Sequence, residues 1–146
     1  MKIAVGADHG GLEVKKRVIA WCLENDQRVI NLGTDDTESV DYPDYAALVC
    51  RSVVDGEAER GVLICTNGVG MCMAANKVDG IRAALVRIPE NARRSRAHND
   101  ANVLCLAGGV DVAPELEELL RVWLETPFDG GRHQRRVDKL MDLERE

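Results

Sequence analysis

Gly61-Val62-Leu63-Ile64-Cys65 is a run without one polar side chain, broken at once by Thr66-Asn67-Gly68-Val69-Gly70. A strand with one face in water alternates apolar and polar residues, whereas a strand covered on both faces has no need to. The run is therefore expected as a central strand of a parallel sheet with helices on either side. Residues 2–7, 28–32, 81–86 and 102–107 have strand length and apolar content as well. Helical stretches separate them. Over residues 12–25, Val14, Val18, Trp21 and Cys22 recur on one side, with Lys15, Lys16 and Arg17 on the other. Further helices are expected from Pro43 to Val54, over residues 71–78 and 89–98, and along the stripe Leu116, Leu119, Leu120, Trp123 and Leu124. Repeated βα units in a chain this short favour an open, right-handed, doubly wound sheet of five parallel strands. With 146 residues, 45% of them hydrophobic, the chain can bury one core but is too short for two ordinary domains, so residues 1–146 are expected to form a single domain. An extra helix is expected over residues 131–146, where Val137, Leu140 and Met141 make a narrow apolar strip suited to an oligomer contact.

Several function classes are disfavoured. A net charge of −6 gives no broad basic surface for a phosphate backbone, and aromatics at 3% supply no stacking platforms, so no nucleic-acid partner is expected. No apolar run approaches the roughly 20 residues a membrane helix requires, and residues 1–5 lead into a strand without a signal-peptide layout. A cytoplasmic protein with no membrane partner is the expectation. Cys22, Cys50, Cys65, Cys72 and Cys105 are odd in number and contain no C-x-x-C pair, which argues for reduced thiols rather than a disulfide framework or a zinc knuckle.

In an open α/β sheet, ligands bind beyond the carboxyl ends of the strands, so the loops there carry the chemistry. Asp8-His9-Gly10-Gly11 offers a carboxylate and an imidazole beside glycines that admit a ligand close to the backbone, although a turn aspartate and a solvated histidine would look the same. Cys65 ends the central run just before a glycine turn whose N–H groups can cradle an anion or a developing oxyanion. A thiol at a strand end near a helix start can serve as a thiolate base or nucleophile, while the other four cysteines read as small buried hydrophobes. The turn is no dinucleotide fingerprint, since the spacing from Gly68 ends in Met73, and no Gly-Lys-Ser/Thr follows for a Walker loop. His98, ending a helix before Asn99 and Asp100, is placed either as an acid and base near neutral pH or as a cap. Arg132 and Arg136 lie one helical turn apart, a spacing that suits a phosphate grip or a solvated helix start.

The motifs Asp8-His9-Gly10-Gly11, Asp41-Tyr42-Pro43, Cys65 with Gly68 and Gly70, Ala74-Ala75-Asn76-Lys77, His98-Asn99-Asp100, Asn102-Val103-Leu104 and Gly130-Gly131-Arg132-His133 with Arg136 occur in this order. Together they resemble the family of ribose-5-phosphate isomerase B and the galactose-6-phosphate isomerase subunits, over essentially the whole chain. The resemblance implies a Rossmann-like three-layer α/β/α sandwich and a homodimer or dimer of dimers with active sites at the subunit interface. It further implies no metal or other cofactor, and aldose–ketose isomerisation of a phosphorylated sugar through a cis-enediolate. Carried over to this sequence, it makes Cys65 the base and His98 the ring-opening residue. The amides of Gly68, Val69, Gly70 and Met71 would stabilise the enediolate. His9, Arg132 and Arg136 would hold the phosphate, and Asp8, Tyr42 and Asn99 would orient hydroxyls.

One position departs from the family pattern Cys-Gly-Thr/Ser-Gly: this chain reads Cys65-Thr66-Asn67-Gly68. An amide at Asn67 donates and accepts hydrogen bonds but does not exchange a proton usefully near pH 7. That favours a substrate needing little ring opening, for instance a tetrose 4-phosphate, beside ribose 5-phosphate or a hexose 6-phosphate. Two other classes compete. One is a non-catalytic sugar-phosphate sensor. The other is a cysteine hydrolase, which requires Cys65 and His98 to meet as nucleophile and base.

Overall fold

The structure, a computed structural model, describes residues 1–145. Its strands are β1 (Lys2–Ala7), β2 (Arg28–Asn31), β3 (Arg60–Cys65), β4 (Ala83–Leu85) and β5 (Val103–Ala107). The helices are α1 (Leu12–Glu24), α2 (Tyr42–Val54), α3 (Val69–Ala75), α4 (Pro89–Ala97), α5 (Leu116–Glu125) and α6 (Arg132–Asp142). Short 3₁₀ turns cover His9–Gly11 and Leu143–Arg145. The five strands lie in the order β2-β1-β3-β5-β4, every neighbouring pair parallel. This is the doubly wound sheet expected from the alternation of apolar runs, with one swap: β5 enters between β3 and the edge strand β4. Among the described residues, no helix is long and apolar enough to cross a membrane.

The unbroken apolar run of β3 serves two cores. Val62 and Ile64 join Ile3, Val5, Leu104 and Leu106 against α1 and α5, while Leu63 and Cys65 join Ala4, Val103 and Cys105 against α2 and α3. Period-two alternation therefore divides apolar side chains between two buried faces rather than between core and water. The stripe expected on α5 is the largest contributor on its side, and Leu116, Leu119, Leu120 and Trp123 are all fully enclosed.

The differences from expectation are local. β4 is three residues, not six; at its start Arg82 N–H donates to Asn102 Oδ1 and Ala83 N–H to Asn76 Oδ1, so side chains take those two N–H groups. α3 starts at Val69, two residues early, because Gly68 takes a left-handed turn (φ +79°) and Asn67 Oδ1 accepts from Val69 N–H. The C-terminal helix ends at Asp142 and tightens into the 3₁₀ turn; the remainder of the span expected for it, Glu146, lies outside the described residues. Lys15, expected on the solvent side of α1, is instead buried. On α6, Val137 turns inward while Leu140 stays 47% exposed, so part of its strip is left uncovered.

Trp123 is fully buried, its backbone carbonyl accepting from Arg60 and its ring 5.2 Å from that guanidinium, yet its indole N–H has no acceptor among the described residues. Urea unfolding should therefore separate two truncations. Trp123→Ala is expected to cost about 3–5 kcal/mol. Trp123→Phe should stay within about 1 kcal/mol of the parent, because the lost volume is offset by removing an unsatisfied donor.

Candidate active site

The carboxyl ends of β1, β3 and β5 are drawn together by glycine. A Cβ on Gly11 would lie 2.8 Å from Ile64 O, and one on Gly108 only 2.6 Å from Gly11 Cα. Gly108 N–H donates to Cys65 O, and Asp8 N–H to Ile64 O. Since Ala7 is in register with Ile64, Asp8 and Cys65 follow side by side on adjacent strands at the point where the chain order reverses. Asp8 is buried and accepts from Gly10 N–H at 2.9 Å, which fixes its carboxylate at the mouth of the turn. His9 Nδ1 accepts from Val40 N–H at 3.2 Å, so that nitrogen is unprotonated and Nε2–H is the free donor.

Cys65 is buried at the end of β3, between this turn and the start of α3. Four amides were expected to form the oxyanion cradle there; the geometry leaves three. Val69 N–H is taken by Asn67 Oδ1 at 3.1 Å, whereas the N–H groups of Gly68, Gly70 and Met71 have no protein acceptor among the described residues. Tyr42, at the start of α2, covers the cradle: a Cβ on Gly70 would sit 2.8 Å from Tyr42 Cζ. Asp8, His9, Tyr42, Cys65, Asn67 and residues 68–71 thus form one group.

His98, Asn99 and Arg136 form another, lining a cavity of about 260 Å³ with His133, Val137 and Leu140. α4 runs back along the sheet, so His98 at its end lies near the amino ends of the strands. Val103 is in register with Gly61, four residues before Cys65, which separates the groups by about 13 Å or more along the strand direction. Within this chain, Cys65 and His98 do not meet. The turn carrying His98 and Asn99 is held from below: buried Arg96 donates to Ala101 O (2.6 Å) and pairs with Asp100 (2.9 Å), and Arg82 donates to Asn99 O and Asp100 O.

The residue that sequence reasoning passed over is His133. Its ring stacks on His98 with centroids 4.3 Å apart and planes 7° from parallel, and Asp129 completes a group whose ligand atoms all lie within 4.8 Å of one another. The available signal was its place between Arg132 and Arg136 in the motif Gly130-Gly131-Arg132-His133 with Arg136. A metal ion sits in the plane of each imidazole that binds it, at about 2.0–2.1 Å, which face-to-face rings do not allow together. Arg132 and Arg136 add positive charge, so the cluster as built does not fit a metal. Burial, the His98 ring and these two guanidiniums hold His133 below the usual imidazole pKa, with Asp129 opposing them.

The thiols differ by surroundings. Burial pushes Cys22 and Cys50 up to about 11. Cys105 is raised by its neighbour Cys72 and by burial, and half-buried Cys72 is brought down to about 7 chiefly by Cys105, with the backbone of Leu85 and the Asn76 amide helping against burial. Cys72 is the one thiol of the five that is only half-buried, and its Sγ lies 3.6 Å from Ala83 O.

A family model described as Ribose/Galactose Isomerase matches residues 3–140. Ribose-5-phosphate isomerase B of Escherichia coli is 44% identical over 144 residues, covering 98% of this chain and 96% of that protein. The solved structure of ribose-5-phosphate isomerase B from Clostridium thermocellum superimposes with a TM-score of 0.95 at 44% identity, covering 99% of this chain and 98% of that one. The enzyme from Mycoplasma genitalium, solved with bound ribulose-5-phosphate, gives 0.93 at 41% identity, covering 99% and 97%. The chain belongs to the Ribose/Galactose Isomerase family.

The lowered His133 pKa has a sign that can be tested. The unfolded imidazole takes up its proton first as pH falls below about 6.5, so stability is full above that value and declines toward the folded pKa. Urea unfolding at pH 7.5 and 5.5 should show a smaller acid loss in His133→Gln than in the parent. Equal losses would assign the acid sensitivity to other groups.

Proposed function

We propose that this chain is an aldose–ketose isomerase interconverting ribose 5-phosphate and ribulose 5-phosphate, or a related phosphorylated pair, with residues 1–146 as one isomerase domain. The observation that carries the reading is Cys65 beside Asp8 and the free N–H groups of Gly68, Gly70 and Met71. In the open-chain aldose, the Cys65 thiolate removes the proton from C2 while charge moves onto the carbonyl oxygen at C1. The three amides donate to that oxygen in the cis-enediolate, where preorganised donors are worth most. The hydroxyl proton passes from O2 to O1, and the Cys65 thiol returns its proton to C1, giving the ketose. His98 gives a proton to the ring oxygen and takes one from the anomeric hydroxyl, opening the ring. Asp8, Tyr42 and Asn99 orient hydroxyls, and His9, Arg132 and Arg136 bind the phosphate.

The separation of Cys65 from His98 supports a homodimer in which each site takes its base from one subunit and its acid, Asn99 and arginines from the other. Exposed Val69, Met73 and Leu85 near the cradle, and Leu140 on α6, supply apolar surface for such a contact. Cys65 and His98 are apart within one chain, and no observation favours the cysteine hydrolase over the isomerase. A cytoplasmic location agrees with the thiol chemistry and the lack of a membrane-crossing helix among the described residues.

Steady-state isomerisation of ribose 5-phosphate is the direct test, and Cys65→Ala should lower kcat by about 10²–10⁴-fold. A protein that binds sugar phosphates without exchanging their protons with solvent would instead be a sensor. Mixing subunits tests the shared site. Cys65→Ala and His98→Asn dimers, each inactive, should regain about a quarter of parental activity after random exchange, since half the dimers are mixed and each has one intact site. No recovery despite exchange would put both groups in one subunit.

Asn67 favours a second substrate reading. Its Oδ1 is committed to Val69 N–H, leaving only amide protons for a sugar. If the natural substrate is a tetrose 4-phosphate, Asn67→Thr should raise kcat/KM for ribose 5-phosphate about tenfold relative to erythrose 4-phosphate, about 1.4 kcal/mol of transition-state preference. An unchanged ratio removes the reason for the tetrose.

A further inference from the structure

Lys15 lies on α1 between Val14 and Val18, only 2% exposed. Its ammonium donates to Asn31 Oδ1 at 3.0 Å, Thr34 O at 2.6 Å and Asp35 Oδ1 at 2.6 Å. An ammonium has three donors and no acceptor, and one taken out of water is tolerated only when those donors are met. All three acceptors lie within residues 31–35. Asn31 extends the network, accepting from Gly33 N–H and donating to Asp35 Oδ1, both at 3.0 Å.

The segment held in this way leads to the substrate group. Gly33 O accepts from Ala7 N–H, and Thr34 N–H donates to Ala7 O, both at 2.7 Å, so it is tied to the end of β1 directly before Asp8 and His9. Farther along, Val40 N–H meets His9 Nδ1, and Tyr42 lies on Gly70. Asp35 is largely exposed, its side chain 74% accessible, so the carbonyl of Thr34 is the enclosed partner of the charge. Lys15 itself makes no hydrogen bond or ion pair with Cys65, His9 or Tyr42 among the described residues.

We propose that Lys15 is a positioning residue for substrate binding: by holding residues 31–35 against α1 it sets the 33–41 segment, which fixes His9 with Nε2–H as its free donor and keeps Tyr42 over the amide cradle. The kinetic part of this inference rests on the isomerase reading; the state of the His9 ring does not.

The test uses full-length Lys15→Met, close in length but without donors, and Asp35→Ala, which removes an exposed acceptor and keeps the Thr34 contact. In Lys15→Met, KM for ribose 5-phosphate should rise about tenfold with kcat within about twofold, the pattern of lost uniform binding. The ¹⁵N resonances of the His9 imidazole should move from one fixed tautomer toward an average of two. Asp35→Ala should shift both readouts in the same direction, with KM up about threefold. A purely structural lysine would lower the unfolding midpoint and leave both readouts unmoved, and that result overturns the proposal. Should Lys15→Met fail to fold, Asp35→Ala decides by the same criteria. A parent protein inactive on every sugar phosphate defeats the isomerase reading, and the His9 resonances of the two variants then decide the role of Lys15.

Discussion

The contact between the turns that follow β1, β3 and β5 governs what this molecule can do. Backbone meets backbone there, Gly108 against Gly11 and Gly11 against Ile64, at distances that leave no room for a Cβ. Side chains at those positions would force the strand ends apart, and with them Asp8 and Cys65. A parallel sheet already gathers its carboxyl ends on one edge. The glycines turn that edge into a narrow crevice that gathers a carboxylate, a thiol and three amides without a protein acceptor among the described residues.

The same topology explains why Cys65 and His98 lie at opposite edges of the sheet within one chain. α4 must run antiparallel to the strands to join β4 to β5, so whatever ends α4 is delivered to the opposite edge of the sheet. His98 and Asn99 are there, joined by the first two turns of α6, which bring His133 and Arg136. The chain is acidic overall at −6, yet this edge concentrates arginine. Two of these, Arg82 and Arg96, are occupied with Asp100 and nearby carbonyls, which leaves Arg132 and Arg136 for an anion. In the proposed dimer, a sugar phosphate lies between His9 of one subunit and these arginines of the other. Subunit association would then complete the active site, and the substrate would bridge its two halves.

Much of this could be read from the chain. The apolar runs identified every strand, because doubly covered strands leave a signal that does not depend on long-range contacts, and the stripe from Leu116 to Leu124 identified α5 for the same reason. The short loops at 8–11 and 66–70 were legible as chemistry through their glycines. Lys15 was not legible: helical periodicity assigned it to water, and only the return of Asn31, Thr34 and Asp35 gives its charge a reason to be inside. The commitment of Val69 N–H to Asn67 was hidden as well, since it depends on a side-chain rotamer. His133 stood in a quoted motif without a role because its stacking partner is 35 positions away, on another helix.

Five thiols in one chain pose the question of why one should be the base. Cys22 and Cys50 are pushed up to about 11 by burial, and Cys105 is raised also, so all three remain protonated near neutral pH. Cys72, at about 7, has the proton affinity most often associated with catalysis. Position argues otherwise. Cys72 lies within α3, its own N–H bonded to Gly68 O, and its sulfur is turned to Ala83 O and Asn76 rather than to the end of β3. Cys65 stands at the strand end, next to Asp8 and the unsatisfied amides. A base must reach its proton and leave the resulting anion stabilised before its own affinity matters, and the proposed role of Cys65 rests on its place in the fold for that reason.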